Sequence, residues 1–312
     1  MLDVDPRDRD DDRRDLDVQW VQVGRGPSSG RGDEDASEQR QDPRDREREA
    51  RDRTTDPRDV FAAHLELPRS QDRELVLDGR DRYELNRDDV RTLSTVGAFR
   101  VVPERQVPDA RENSLRHLRD EGLVRFVSVN ARECVLTLTE RGRRLLENHR
   151  RDRDGGRPQG FYAGVSRMRE LSHDAQLYGA YLREAQRLRE HGADIHRVVL
   201  DTELKREYQQ WLQAHNRGRS DSDGRPDRDA REVEQWAREH DLPYFDGSVQ
   251  FPDFRIEYEL DRVEQHRDVE VMTANYRGAH AASRTRSGFT CVGGASRRGG
   301  HPLDPDGASD YV

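Results

Sequence analysis

Pro252-Asp253 and, further along, Asp268-Val269-Glu270 have the types and spacing that suit metal chemistry. If residues 268–270 form a strand, the alternation of side chains puts Asp268 and Glu270 on one face. Carboxylates converging from neighbouring strands hold Mg²⁺, which polarises a phosphate and lowers the pKa of an attacking water. Asp253, Asp268 and Glu270 are therefore the expected metal ligands and catalytic acids of a phosphodiester-cleaving site. Glu203 and Lys205 stand at the start of a predicted helix and are further candidates on residue type alone, since lysine can lose its proton where arginine cannot. Lys205 is the single lysine among 55 basic residues. The competing reading is plain: solvated strand carboxylates in an acidic chain, and a lysine at the surface.

Other groups carry less. Ser172-His173-Asp174 has the residue types of a nucleophilic relay, but neighbours on a helix point in different directions, so His173 is expected to pack. Cys134 and Cys291 lack a CxxC partner and are expected to be plain buried residues. The glycine pairs at 293–294 and 299–300 precede no helix and make no phosphate loop.

A second set suits nucleic acid. Arg111, Asn113, Arg116 and Arg119 fall on one predicted helix, residues 110–121, whose Leu115 and Leu118 face inward. Arg132 sits between two predicted strands, and Arg277 follows the acids of 268–270. Residues 86–150 hold 13 arginines against 10 acidic residues, a net of +3 within a chain of net charge -9. That local reversal, rather than the arginine count, points to DNA. Arginines on such a helix contact base edges or phosphates in the major groove.

The elements that must position these residues follow from pattern. Residues 74–77 and 83–85 flank Asp78-Gly79 and read as a hairpin. Asn86 caps a helix for which Gly97 marks an end, and a short second helix is expected over 99–106. Asp109 caps the helix 110–121, Gly122 stops it, and strands over 123–129 and 133–138 follow. Thr139 then opens another helix. Beyond a Gly/Pro-containing stretch at 151–160, the pattern gives a helix over 171–191, a strand at 195–200, helices at 202–215 and 230–240, strands at 254–260 and 268–273, a helix at 278–285 and a strand at 289–292.

Ser114-Leu115-Arg116-His117-Leu118-Arg119-Asp120-Glu121-Gly122-Leu123-Val124, with Leu136-Thr137-Leu138-Thr139-Glu140-Arg141-Gly142, resembles winged-helix regulators. The order of the second half, with Pro252-Asp253 at the head of a central hairpin, is similar to the PD-(D/E)xK nuclease-like fold. This sequence departs from that pattern where lysine is usual: Glu270 or Met272 stands there, depending on alignment. The pair resembles plasmid replication-relaxation proteins, which join a winged helix to a nuclease-like domain. The resemblance implies a mixed α/β (α+β) chain: an N-terminal winged helix-turn-helix and a C-terminal restriction-endonuclease-like mixed sheet flanked by helices.

Composition sets the frame. Hydrophobic residues are 31% and charged residues 38%, against roughly 45–50% and 25% in ordinary soluble domains, so part of the chain is expected to be disordered. The expected division is a disordered arm at 1–58, a winged helix at 59–150, a linker at 151–160, a nuclease-like domain at 161–292 and a disordered tail at 293–312. No apolar run approaches the roughly 20 residues of a membrane span, and the acidic start is unlike a signal peptide. A cytoplasmic protein without membrane contact is expected. The expected partners are double-stranded DNA, proteins of a plasmid or other mobile element, and a second copy in a homodimer. The expected role is replication, mobilisation or regulation. Two alternatives stand beside it: a Mg²⁺-dependent DNA endonuclease, and a scaffold whose winged helix binds protein.

Overall fold

A computed structural model describes residues 56–107, 112–130, 133–151, 157–216, 228–272 and 286–293. Nearly all of the arm and tail read from composition lies outside these residues. The fold is mixed α/β with seven helices among the described residues. None of those helices is long and apolar enough to cross a membrane.

The first half opens with a short helix α1 (Asp59–Ala62), followed by strands β1 (Glu74–Asp78) and β2 (Asp81–Leu85). These two strands form the expected antiparallel hairpin about Gly79. Helix α2 (Arg87–Phe99) starts at a reciprocal cap: the Asn86 side chain accepts from the Asp89 amide, and the Asp89 carboxylate accepts from the Asn86 amide. The helix runs through Gly97 rather than ending there. A Cβ at that position would lie 2.9 Å from both Leu138 and Phe161, so the glycine serves close packing. The second helix expected over 99–106 is instead a strand, β3 (Val102–Pro103), and a single 3-10 turn, Glu104–Gln106. Pro103, which lacks an amide hydrogen, suits this short strand better than a helix interior.

Helix α3 (Glu112–Asp120) leads through Gly122, at φ +70°, into β4 (Val124–Asn130), then β5 (Glu133–Leu138) and α4 (Glu140–Asn148). The sheet order is β3-β5-β4, antiparallel throughout. Thr139 caps α4 as expected, its side chain accepting from the Gly142 amide. A Cβ on Gly142 would lie 2.2 Å from the Leu123 carbonyl oxygen, so only glycine lets α4 approach the head of β4 so closely. The expected cap at Asp109 lies outside the described residues.

The second half runs α5 (Leu171–Glu190), β6 (Asp194–Leu200), α6 (Asp201–Leu212), α7 (Ala230–Glu239), a small hairpin β7 (Tyr244–Phe245) and β8 (Ser248–Val249), then β9 (Phe254–Leu260), β10 (Val263–Met272) and β11 (Thr290–Gly293). The four-stranded sheet has the order β11-β10-β9-β6. Its β6/β9 and β9/β10 pairs are antiparallel and β10/β11 is parallel. Residues 273–285, including the expected helix, lie outside the described residues.

All the described residues belong to one unit, and the largest buried apolar cluster draws on both halves. Phe99 at the end of α2 lies 5.2 Å from the rings of both Tyr178 and Tyr181 on α5, and 6.3 Å from Phe254 on β9. Burying each such side chain contributes about 1.5–3 kcal/mol. Within the stretch read as a linker, Gln159 is fully buried. Its amide donates to the Val198 carbonyl at 2.8 Å and accepts from the Val198 amide at 3.0 Å. The side chain thus supplies the hydrogen bonds a neighbouring strand would give to the edge strand β6.

Candidate functional site

Alternation divides the four-stranded sheet into two faces. Val198, Leu200, Phe254, Ile256, Tyr258, Val269 and Val271 join the core beneath α5. Arg197, Arg255, Glu257, Glu259, Asp268 and Glu270 alternate with them on the other face. Most of the expected acids therefore sit on a polar sheet face whose two arginines are almost wholly buried, at 3% and 8% exposure.

Register decides what each acid meets. Asp268 stands directly across from Arg255, and the guanidinium grips it with two nitrogens, Nε to Oδ1 at 2.7 Å and Nη2 to Oδ2 at 2.9 Å. Arg255 also donates to the carbonyls of His240 and Asp241 at 2.9 and 3.0 Å, which fixes the fork in place. Arg197 likewise holds Glu257, at 2.6 and 3.3 Å, and donates to the Pro158 carbonyl at 2.8 Å. Bidentate pairs of this kind are among the stronger charge-assisted hydrogen bonds.

Asp253, immediately before β9, turns its carboxylate to the end of the ladder. Its Oδ2 accepts from the Val271 amide at 2.7 Å and lies 3.1 Å from His173 Nε2 at the start of α5. The other ring nitrogen of His173 lies 3.5 Å from Asp174. Burial works against charge on this imidazole, but the Asp174 and Asp253 carboxylates outweigh it and push its pKa up to about 10. His173 is thus an imidazolium bridging two acids, not simply a packed side chain. Glu270, the third expected acid, is fully buried.

The remaining candidates are dispersed. Lys205 pairs with Asp201 one helical turn earlier at 2.6 Å, its side chain 53% exposed. The Glu203 carboxylate accepts from the Tyr162 hydroxyl at 3.0 Å and lies 3.6 Å from Arg197. Burial, reinforced by the Glu203 charge, raises the Tyr162 pKa above its ordinary value. An open cleft of about 450 Å³ is bounded by Asp268, Asp241, His266 and Thr290, among others; Asp253 and Glu270 do not line it.

Two of the three expected acids are already engaged by other groups. The Asp268 carboxylate is already bound by Arg255, and Asp253 by His173 and a strand amide, so an ion would have to displace two protein cations. Among the described residues, one group of three His, Cys, Asp or Glu donors lies within 4.8 Å of one another, and it is His196, Glu259 and Glu264. Arg255 carries an alternation signal on the strand after Asp253, but its pairing with Asp268 depends on a register the sequence does not supply. His173 gave no such signal, because its partner lies 80 residues away.

In the first half, α3 buries Leu115 and Leu118, and the Ser114 hydroxyl donates to the same Asp89 that caps α2. A His117 ring nitrogen lies 2.7 Å from the Glu84 carbonyl oxygen. Arg116 and Arg119 are exposed, and Arg119 meets the neighbouring Asp120 at 3.1 Å. Arg111, Arg132, Arg277 and the side chain of Asn113 lie outside the described residues. The cysteines depart from expectation: Cys134 is half-buried and Cys291 exposed. No family model, curated protein or solved structure matches the chain.

Proposed function

We propose that this is a DNA-binding protein that uses α3 and the β4–β5 hairpin as a winged helix-turn-helix, with the nuclease-like second half serving as a braced platform rather than a cutting centre. The carrying observation is the placement of α3, which buries Leu115 and Leu118 while Arg116 and Arg119 face solvent. The β3-β5-β4 order, with α3 entering β4 through a glycine turn, supports the same reading. A helix held by its apolar face and carrying guanidiniums on the other is suited to enter a major groove and neutralise phosphates. The mobile-element setting rests on the resemblance of the two halves to replication-relaxation proteins.

The test is fluorescence anisotropy with a labelled duplex of mixed sequence across a salt series. Arg116→Ala with Arg119→Ala should weaken binding and flatten the log–log salt slope by about 1.8, the value for two lost phosphate contacts. Unchanged affinity and slope would overturn the reading and leave α3 for protein contacts.

The order β6-β9-β10-β11, with its parallel last pair and Asp253 at the head of β9, favours a second reading as an endonuclease. Supercoiled plasmid nicked in Mg²⁺ or Mn²⁺ by the wild type, and left intact by Asp253→Ala, would establish that reading instead.

A further inference from the structure

The structure assigns a site for one divalent ion of the zinc class to His196, Glu259 and Glu264, at the end of the polar sheet face remote from Asp253. The inference is independent of the DNA-binding proposal. From Asp253 to Glu259 the chain runs along β9 for roughly 20 Å at strand rise, so this is a different place from the acids weighed above.

Three observations converge on it. Glu259 and Glu264 stand directly opposite each other on β9 and β10, and like charges in that position repel. Asp194 faces Glu259 from β6 on the other side, which deepens the negative charge. Two other carboxylates on this face are matched by guanidiniums, Asp268 by Arg255 and Glu257 by Arg197. No ion pair among the described residues includes Glu259 or Glu264.

The second observation is a bulge. The register of β6 against β9 slips between Ile195 and Arg197, leaving His196 as the extra residue. A bulge re-aims side chains, and here a donor nitrogen of His196 lies within 4.8 Å of both carboxylates. The third is the ring itself: His196 Nε2 is shut off from solvent and has no hydrogen-bond partner among the described residues. A buried polar atom left without a partner is costly, so the His196 ring has a nitrogen that the protein itself does not commit.

The donor chemistry selects the ion. One imidazole and two carboxylates suit zinc, which takes three protein ligands at about 2.0–2.2 Å and keeps a fourth position for water. Mg²⁺ and Ca²⁺ prefer oxygen donors throughout. Donors this far apart close on an ion by rotation of Glu264, the exposed member of the set. The bound ion would clip β6, β9 and β10 together.

The full chain, without a histidine tag and stripped with EDTA, tests this by calorimetric titration with Zn²⁺ at pH 7.5 and by the visible absorption of bound Co²⁺. One equivalent per chain is expected, with a tetrahedral Co²⁺ band and a rise in Tm that EDTA reverses. His196→Gln and Glu264→Gln should each weaken binding at least tenfold and remove the Co²⁺ band, whereas His191→Gln, outside the cluster, should leave both unchanged. If His196→Gln disturbs folding, Glu264→Gln decides, because its side chain lies at the surface. Absence of stoichiometric binding, or wild-type affinity in Glu264→Gln, overturns the assignment.

Discussion

Arg255 and Arg197 on the four-stranded sheet have side chains 9% and 4% exposed, and each grips a carboxylate through two nitrogens. Arg119 on α3 has its side chain 54% exposed and touches only its exposed neighbour Asp120 among the described acids, and Arg116 stands on the same solvent face. The same residue type is committed to holding strands together in one region and kept at the surface in the other. Buried, a guanidinium cannot be removed without stranding a carboxylate; exposed, it can exchange its contacts for phosphate. Arginine abundance in this chain therefore says little about function until each residue's surroundings are known.

The largest expected effect is at the buried pair. Arg255→Leu should lower unfolding stability by about 3–5 kcal/mol in urea titration, because Asp268 is left as an uncompensated buried charge. Arg255→Leu with Asp268→Leu should recover most of that loss. A single-variant cost under about 1 kcal/mol would erase the contrast between the two regions.

His173 sharpens the contrast through pH. Its folded pKa is raised from 6.5 to about 10, so its stabilisation is complete below about pH 6.5 and is lost as pH rises toward 10. Between pH 7 and 10 the wild type should lose about 1.5–3 kcal/mol more than His173→Gln, the range for hydrogen bonds to charged groups. Parallel melting curves for the two across that range would show that the imidazolium contributes nothing. The smallest effect belongs to the surface. Arg119→Ala should change stability by under about 0.5 kcal/mol, as exposed ion pairs do, so any loss of DNA affinity in that variant would not reflect unfolding.

Much of the fold was legible because its signals are local. Asp78-Gly79 marks the first hairpin, Asn86 and Thr139 mark helix starts, and the structure has each of them. Failures came where tertiary packing overrode a local cue. Gly97 looks like a helix stop but is an approach point for Leu138 and Phe161. Residues 99–106 look helical, yet Val102 and Pro103 find a strand partner in Leu136 and Val135. The acids at 253, 268 and 270 were visible as a group. Their partners were not, and neither was His196, which reaches Glu259 and Glu264 only through a bulge.

The sequence by itself determined the residue chemistry, the alternation that puts Asp268 and Glu270 on one strand face, and the amphipathic character of α3. Tertiary structure alone decided which cation each acid meets. Pairing across strands depends on register, and a slip of one residue sends every side chain to the other face. Contacts such as that between His173 and Asp253 join residues 80 positions apart, a separation over which periodicity and capping carry no information.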